Sequence, residues 1–164
     1  MTDKPRDTAA AAAPLYHLDG VGKSYDGPVE KITVLKGISL DISQGESLAV
    51  VGSSGSGKSS LLHLLGTLAT PSCGRLLFDG RDIQAMPPEE KALLRNKDIG
   101  FVFQFHHLLP EFSTLENVAM PAIIAGLPRK KALDLAMGIL DRVGLRDRSG
   151  HNATLLSGGE RQRA

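Results

Sequence analysis

Cysteine is nearly missing from this 164-residue chain: Cys73 stands alone, so no internal disulfide can form, and nothing around it has zinc-type spacing. It reads as a small reduced residue in a turn and points weakly to the cytoplasm. Charge of one sign is missing too. With 19 basic and 18 acidic residues the net charge is +1 at pH 7, so the basic field used by nucleic-acid binders is lacking and nucleic acid is not expected as a partner. There is no long hydrophobic run: the most apolar stretch, residues 119–127, is interrupted by Pro121 and Gly126 and is far too short to span a membrane. Residues 1–14 hold an alanine run behind Asp3, Lys4, Arg6 and Asp7 but no strongly apolar core, which argues against a signal peptide and for a disordered leader. No repeat and no linker divides the rest. A hydrophobic fraction of 41% is enough for the core of one domain.

What is present centres on Gly52-Ser53-Ser54-Gly55-Ser56-Gly57-Lys58-Ser59, which fits the phosphate-binding pattern G-x-x-x-x-G-K-[ST] at each specified position. Its flanks supply the context the pattern needs, with apolar residues 48–51 ahead as a buried strand and residues 61–65 behind as a helix. Glycines let the backbone turn around an anion with successive N–H groups pointing inward. Lys58 is placed to bridge terminal phosphates, the Ser59 hydroxyl to sit on Mg²⁺, and the helix opening near Gly57 to add its positive end. A nucleoside triphosphate is the ligand this implies.

Elsewhere the periodicity predicts short strands at 15–18, 32–35 and 38–42, separated by Gly and Asp-Gly turn signals, as an antiparallel sheet. Gln44-Gly45-Glu46 turns the chain toward the phosphate loop. Residues 75–78 form another strand closed by Asp79-Gly80, and Pro87-Pro88-Glu89-Glu90 opens a helix that runs to about Asn96. Residues 99–103 read as a strand covered on both faces and ending at Gln104. Ser113-Thr114-Leu115-Glu116 is a capping box that starts a helix. A further helix lies between Pro128 and Gly144, with Ala132, Leu135, Ala136, Ile139, Leu140 and Val143 on one face. His63 reads as a packed helix residue. His106 and His107, lacking a carboxylate or cysteine at ligand spacing, read as an interaction surface rather than a metal site.

Near the end, Leu156-Ser157-Gly158-Gly159-Glu160 is again a capping box, but two glycines in its first turn weaken the helix and leave bare N–H groups open to an anion. This run and the phosphate loop, with a glutamine ending a strand between them, resemble the ATP-binding subunits of ABC transporters, whose signature is L-S-G-G-[EQ]. The resemblance covers about residues 15–164. It implies an α/β P-loop NTPase fold with an N-terminal antiparallel β subdomain, a parallel core sheet that is incomplete here, and a helical subdomain at about 105–164. It also implies an ATPase working with ATP and Mg²⁺. Within the resemblance, Gly52, Ser53, Ser54, Gly55, Ser56, Gly57, Lys58, Ser59 and Ser60 hold the phosphates, and Tyr25 matches the aromatic that stacks on adenine; read from residues alone, it is a tyrosine ending an edge strand. Gln104 matches the glutamine that reaches Mg²⁺ and the attacking water, which with Lys58 makes the catalytic pair; its bland reading is a polar residue at the sheet's rim. Ser157, Gly158 and Gly159 would meet the nucleotide of a second copy in a head-to-tail dimer.

The stretch 103–121, with its paired histidines followed by Leu108-Leu109-Pro110, is similar to the subfamily that drives lipoprotein release, together with integral membrane subunits, from the cytoplasmic face of the bacterial inner membrane. Macrolide-export and FtsE-like cell-division systems are the neighbouring alternatives. A soluble switch in repair or translation would carry a long insertion or a second ATPase domain, and neither is visible. The family pattern continues past the signature into a strand ending Asp-Glu, a loop aspartate and a histidine. None stands in the chain given, since His151 precedes the signature. Residues 1–164 alone are therefore expected to bind ATP with little turnover, and their unpaired sheet edges predict instability or aggregation.

Overall fold

Two long strands carry the first part of the chain, β1 (Tyr16–Asp26) and β2 (Lys31–Ile42), joined as an antiparallel ribbon. The computed structural model describes residues 13–105 and 107–164, so the expected leader up to residue 12 and His106 lie outside the described residues. With β3 (Cys73–Phe78) and β4 (Arg81–Asp82), the ribbon makes a four-stranded sheet of order β2-β1-β3-β4, antiparallel throughout.

Bulges explain which side chains turn inward. Leu18 pairs with Leu40 and Val21 with Ile38, so β1 spends three residues where β2 spends two. The extra residue resets the alternation, and Leu18 and Val21, three apart, are both buried. From Val21 to Lys23 the surplus lies on β2 instead, where Gly37 has φ +59°. Gly37 is thus part of an irregularity in one continuous strand, and the separate strands expected at 32–35 and 38–42 are one. Asp79 and Gly80, both at positive φ, form the tight turn between β3 and β4. Cys73 opens β3 and is exposed, where a turn residue was expected.

Helix α1 (Lys58–Leu65) buries Leu61 and Leu64, and the sheet contributes Leu18, Val21, Leu35, Leu76 and Phe78 to the core. Tyr16 fixes its far end: the phenol donates to Leu65 O at 3.0 Å while the ring meets Phe78 edge-on at 4.9 Å. Burial pushes that phenol above its ordinary pKa.

The strands expected at 48–51 and 99–103 do not form. A parallel strand has no hydrogen bonds of its own and exists only where neighbours supply them, and no β ladder includes either segment among the described residues. Nor are both faces covered, because Leu48 is 46%, Val51 85% and Val102 85% exposed.

The chain divides into two compact units, Met1–Lys91 and Ala92–Ala164. Helix α2 (Pro88–Lys97) spans the boundary, with Glu89 and Glu90 in its first turn and Arg95 and Lys97 in its last, as the helix dipole favours. The second unit is built on α3 (Thr114–Ile124) and α4 (Arg129–Arg142). Ala119, Ala132 and Ala136 form the contact, with Leu115, Val118, Ala122, Ile123, Leu127 and Leu133 packed around it. Small residues let the helices approach closely, so the buried stripe of α4 runs through Ala132, Ala136 and Leu140. Leu135 and Ile139, expected on that stripe, point outward at 55% and 49% exposure. Pro128 caps α4 at its start and Gly144, at φ +69°, follows its end, as the sequence predicts. No helix among the described residues is long and apolar enough to cross a membrane.

Candidate functional site

The phosphate-type loop is held against the sheet at one point. Gly57 is the N-cap of α1 in a left-handed conformation, φ +90°, and a Cβ there would lie 2.8 Å from Leu35 Cδ2 and 3.0 Å from Val34 O. Only glycine permits both that dihedral and that approach. Gly52 and Gly55 also have positive φ. Leu61 is the first residue whose N–H bonds back to Gly57 O, at 2.9 Å, so the amides just before it remain available at the helix mouth. Val34 and residues 54–60 line a cleft of about 310 Å³ there. Lys58 Nζ donates to Gly52 O at 3.0 Å and Ser53 O at 2.7 Å, which folds its ammonium over the loop. Backbone donors, one ammonium and the hydroxyls of Ser54, Ser56, Ser59 and Ser60 make this a cradle for an anion of several charges.

Tyr25 stands near the end of β1, 40% exposed, opposite Ile32 of β2. Val34, the cleft wall, is two residues from Ile32, so the ribbon's register carries Tyr25 and the cleft on the same stretch of strand pair. One face of its ring is taken by Lys23, whose Nζ lies 4.9 Å from the centroid and donates to Thr70 O at 2.8 Å. His63, on α1, is partly buried.

Gln104 belongs to the second unit and is exposed, just beyond Phe101 and Phe103, whose ring centroids lie 4.5 Å apart with the planes tilted by 35°; Phe103 also meets His107 edge-on at 4.9 Å. Two asparagines fix the stretch that follows. Asn117 Oδ1 accepts from Leu109 N at 2.7 Å while its Nδ2 donates to Leu109 O and Ser113 O, each at 3.0 Å. Asn152 donates to Pro110 O and accepts from Thr154 N. Sequence reasoning missed both clamps, because asparagine in a helix or a loop gives no local signal of the carbonyl it will meet.

Both expected capping boxes form. In the first, Ser113 and Glu116 bond reciprocally at 3.1 and 3.2 Å. Arg129 joins Glu116 Oε1 at 2.8 Å. In the second, Ser157 N donates to Glu160 Oε2 at 2.8 Å and Ser157 Oγ accepts from Glu160 N at 3.3 Å, starting α5 (Gly158–Arg163). Ser157, Gly158 and Gly159 are all exposed. A methyl added at Gly158 would meet nothing within 4 Å, and one at Gly159 only Arg163 Nη1 at 3.9 Å.

The Ser157 amide and side chain, then Arg148, lower the Glu160 pKa from 4.5 to about 2. A depressed folded-state value means that the ionised cap favours the folded form fully above pH 4.5 and loses that effect as pH falls through about 2. Carbon-13 NMR of the Glu160 carboxyl should therefore show a midpoint near 2, whereas a midpoint at 4 or above, about the ordinary carboxyl value, would mean that the box does not hold in solution.

Residues 35–164 match the family model described as ABC transporter. The Lipoprotein-releasing system ATP-binding protein LolD of Nitratidesulfovibrio vulgaris is 65% identical over 153 residues, 93% of this chain and 66% of that protein. The protein of the same name from Oleidesulfovibrio alaskensis is 62% identical over 92% of this chain and 65% of its own length. The one from Bacteroides fragilis is 51% identical over 91% and 67%. The chain thus spans about two thirds of the length of the curated relatives it matches. Two solved dimeric structures of the ATP-binding cassette MJ0796, one in a post-hydrolysis state bound to ADP and Pi, share its fold at a TM-score of 0.83 and 34% identity, over 90% of this chain and 66% of theirs.

Proposed function

Because the chain belongs to the ABC transporter family, we propose that it is the ATP-binding subunit of a lipoprotein-releasing transporter, binding and hydrolysing MgATP as a head-to-tail pair of copies. In this reading it works with LolC/LolE-like integral membrane subunits on the cytoplasmic face of the bacterial inner membrane. Residues 15–164 are then the N-terminal part of one ATP-binding domain, with the helical subdomain from about residue 105. The names of the relatives at 65%, 62% and 51% identity favour lipoprotein release over macrolide export or cell division.

The observation that carries the two-copy reading is a contrast between glycines. Gly57 must be glycine to satisfy its own fold, with φ +90° and a backbone oxygen in the way of any Cβ. Gly158 and Gly159 meet no such demand, and glycine there costs helix stability. Their bareness serves something that approaches from outside the chain. A phosphate held by a second copy fits, because a symmetric pair places each signature against the other's loop.

On this reading residues 52–60 hold the phosphates, with Lys58 across the terminal ones, and Tyr25 offers its free face to adenine. Gln104 reaches the metal and the attacking water, and Ser157, Gly158 and Gly159 close on the partner's nucleotide. The exposed Ser59 hydroxyl suits Mg²⁺, which takes few protein ligands. When bound, the ion would neutralise charge developing on the transferred phosphoryl group.

Gly159→Ala separates fold from function. Its melting free energy should equal the parent's or exceed it by up to about 1 kcal/mol, the helix-propensity difference. Light scattering with MgATP should find no dimer, while calorimetry still finds MgATP bound by the single copy. A Gly159→Ala protein that dimerises with MgATP like the parent would sink the two-copy reading.

A further inference from the structure

Helix α5 is tied down at each end to the region that follows α4. At its far end Arg163 Nε donates to Val143 O at 3.2 Å. At its near end Arg148 Nε donates to Glu160 Oε1 at 3.0 Å while the other oxygen of the same carboxylate accepts the Ser157 amide at 2.8 Å. Arg148 closes the short 3-10 turn Arg146–Arg148, its N–H bonded to the carbonyl of the buried Leu145 at 3.0 Å. One carboxylate therefore couples a guanidinium on a fixed base to the backbone and hydroxyl of Ser157.

The other capping box shows what such an arrangement does when it serves the fold alone. There Arg129 joins Glu116, and the first turn it steadies opens on a buried residue: Thr114 is 0% exposed and its N–H and hydroxyl both donate to His151 O. In the box of α5 the first turn opens with two exposed glycines, and a Cβ built on either would meet almost nothing within 4 Å. Arg148 is half exposed, 50%, so an ion pair there adds little to stability. Holding the direction of Ser157 and the two glycine amides, which have the freest backbone available, is the work left to it.

We propose that Arg148 is a positioning residue for Ser157, Gly158 and Gly159, acting through Glu160 to aim them at the phosphate of a nucleotide on a second copy. The inference rests on the two-copy reading above. In this role Arg148 acts through Glu160 and not on the nucleotide itself, so its loss should affect closure of the pair and leave the binding of nucleotide by a single copy untouched.

The experiment compares Arg148→Ala, Arg148→Lys and Ser157→Ala in the full chain. It measures MgATP affinity at protein concentrations too low for pairing, the concentration for half-maximal dimerisation with MgATP, and the Glu160 carboxyl titration. Arg148→Ala should keep the parent's single-copy affinity, require about tenfold more protein to dimerise, and raise the Glu160 midpoint. Arg148→Lys should recover part of both, because it restores the charge without the fork. Three results would overturn the proposal. Normal dimerisation by Arg148→Ala beside failure by Ser157→Ala removes Arg148's role and leaves the two-copy reading standing. Normal dimerisation by Ser157→Ala removes the two-copy reading and this inference with it. A joint loss of melting temperature and single-copy affinity in both Arg148 variants assigns the residue to the fold alone.

Discussion

Lys58→Ala should abolish MgATP binding in calorimetry while leaving the melting temperature almost unchanged. Among the residues lining the cleft, Val34 and 54–60, Lys58 is the only cation. Charge-assisted contacts to phosphate are about twice as strong as neutral ones. Losing one from a preorganised anion site costs on the order of a hundred- to a thousandfold. The ammonium now donates to Gly52 O and Ser53 O, but both residues are exposed, so water replaces it there at a cost of about 1 kcal/mol or less. Affinity within about threefold of the parent, equivalent to under about 1 kcal/mol, would remove the loop from the nucleotide site.

Gly57→Ala should damage both stability and binding. Alanine at φ +90° is strained by roughly 1–3 kcal/mol before any contact is counted. Its methyl would then press on Leu35 Cδ2 at 2.8 Å, on Val34 O at 3.0 Å and on Val34 Cγ1 at 3.2 Å. A leucine tip can move aside; a backbone carbonyl cannot without shifting β2 itself. The helix must therefore lift from β2 and carry its amides out of register with any phosphate. Chemical denaturation should show a loss of about 2–4 kcal/mol, and calorimetry no binding. If Gly57→Ala melted and bound like the parent, the close seat of the loop on β2 would be wrong. The same substitution at Gly159, with open space around it, should leave stability intact.

Those two glycines also show which parts of the molecule could be read in advance. The phosphate loop and both capping boxes are local devices whose chemistry lies within a few residues, so spacing alone places them. Periodicity placed α4 between Pro128 and Gly144 but misjudged its buried side. The alanines of α4 meet Ala119 of α3, and that partner, invisible in the helix's own sequence, turns Leu135 and Ile139 outward. Gly37 looked like punctuation between strands, and only its pairing across to β1 makes it a bulge. Residues 48–51 and 99–103 are apolar enough for strands, but strandedness belongs to the pair and not to the segment. Arg148, Asn117 and Asn152 were not legible at all, since each meets its main partner by tertiary placement.

Helix α1 is anchored at both ends to the sheet, by the seat of Gly57 on Val34 and Leu35 and by the Tyr16 phenol on Leu65 O. Mechanically it is a strut with no free end, unable to rock or slide independently of β1 and β2. A pull on its mouth cannot be absorbed as local play and is loaded onto the ribbon as tension. The load path runs from Gly57 into β2 and from Leu65 through Tyr16 into β1, so the ribbon stiffens or yields as one piece with the loop it supports.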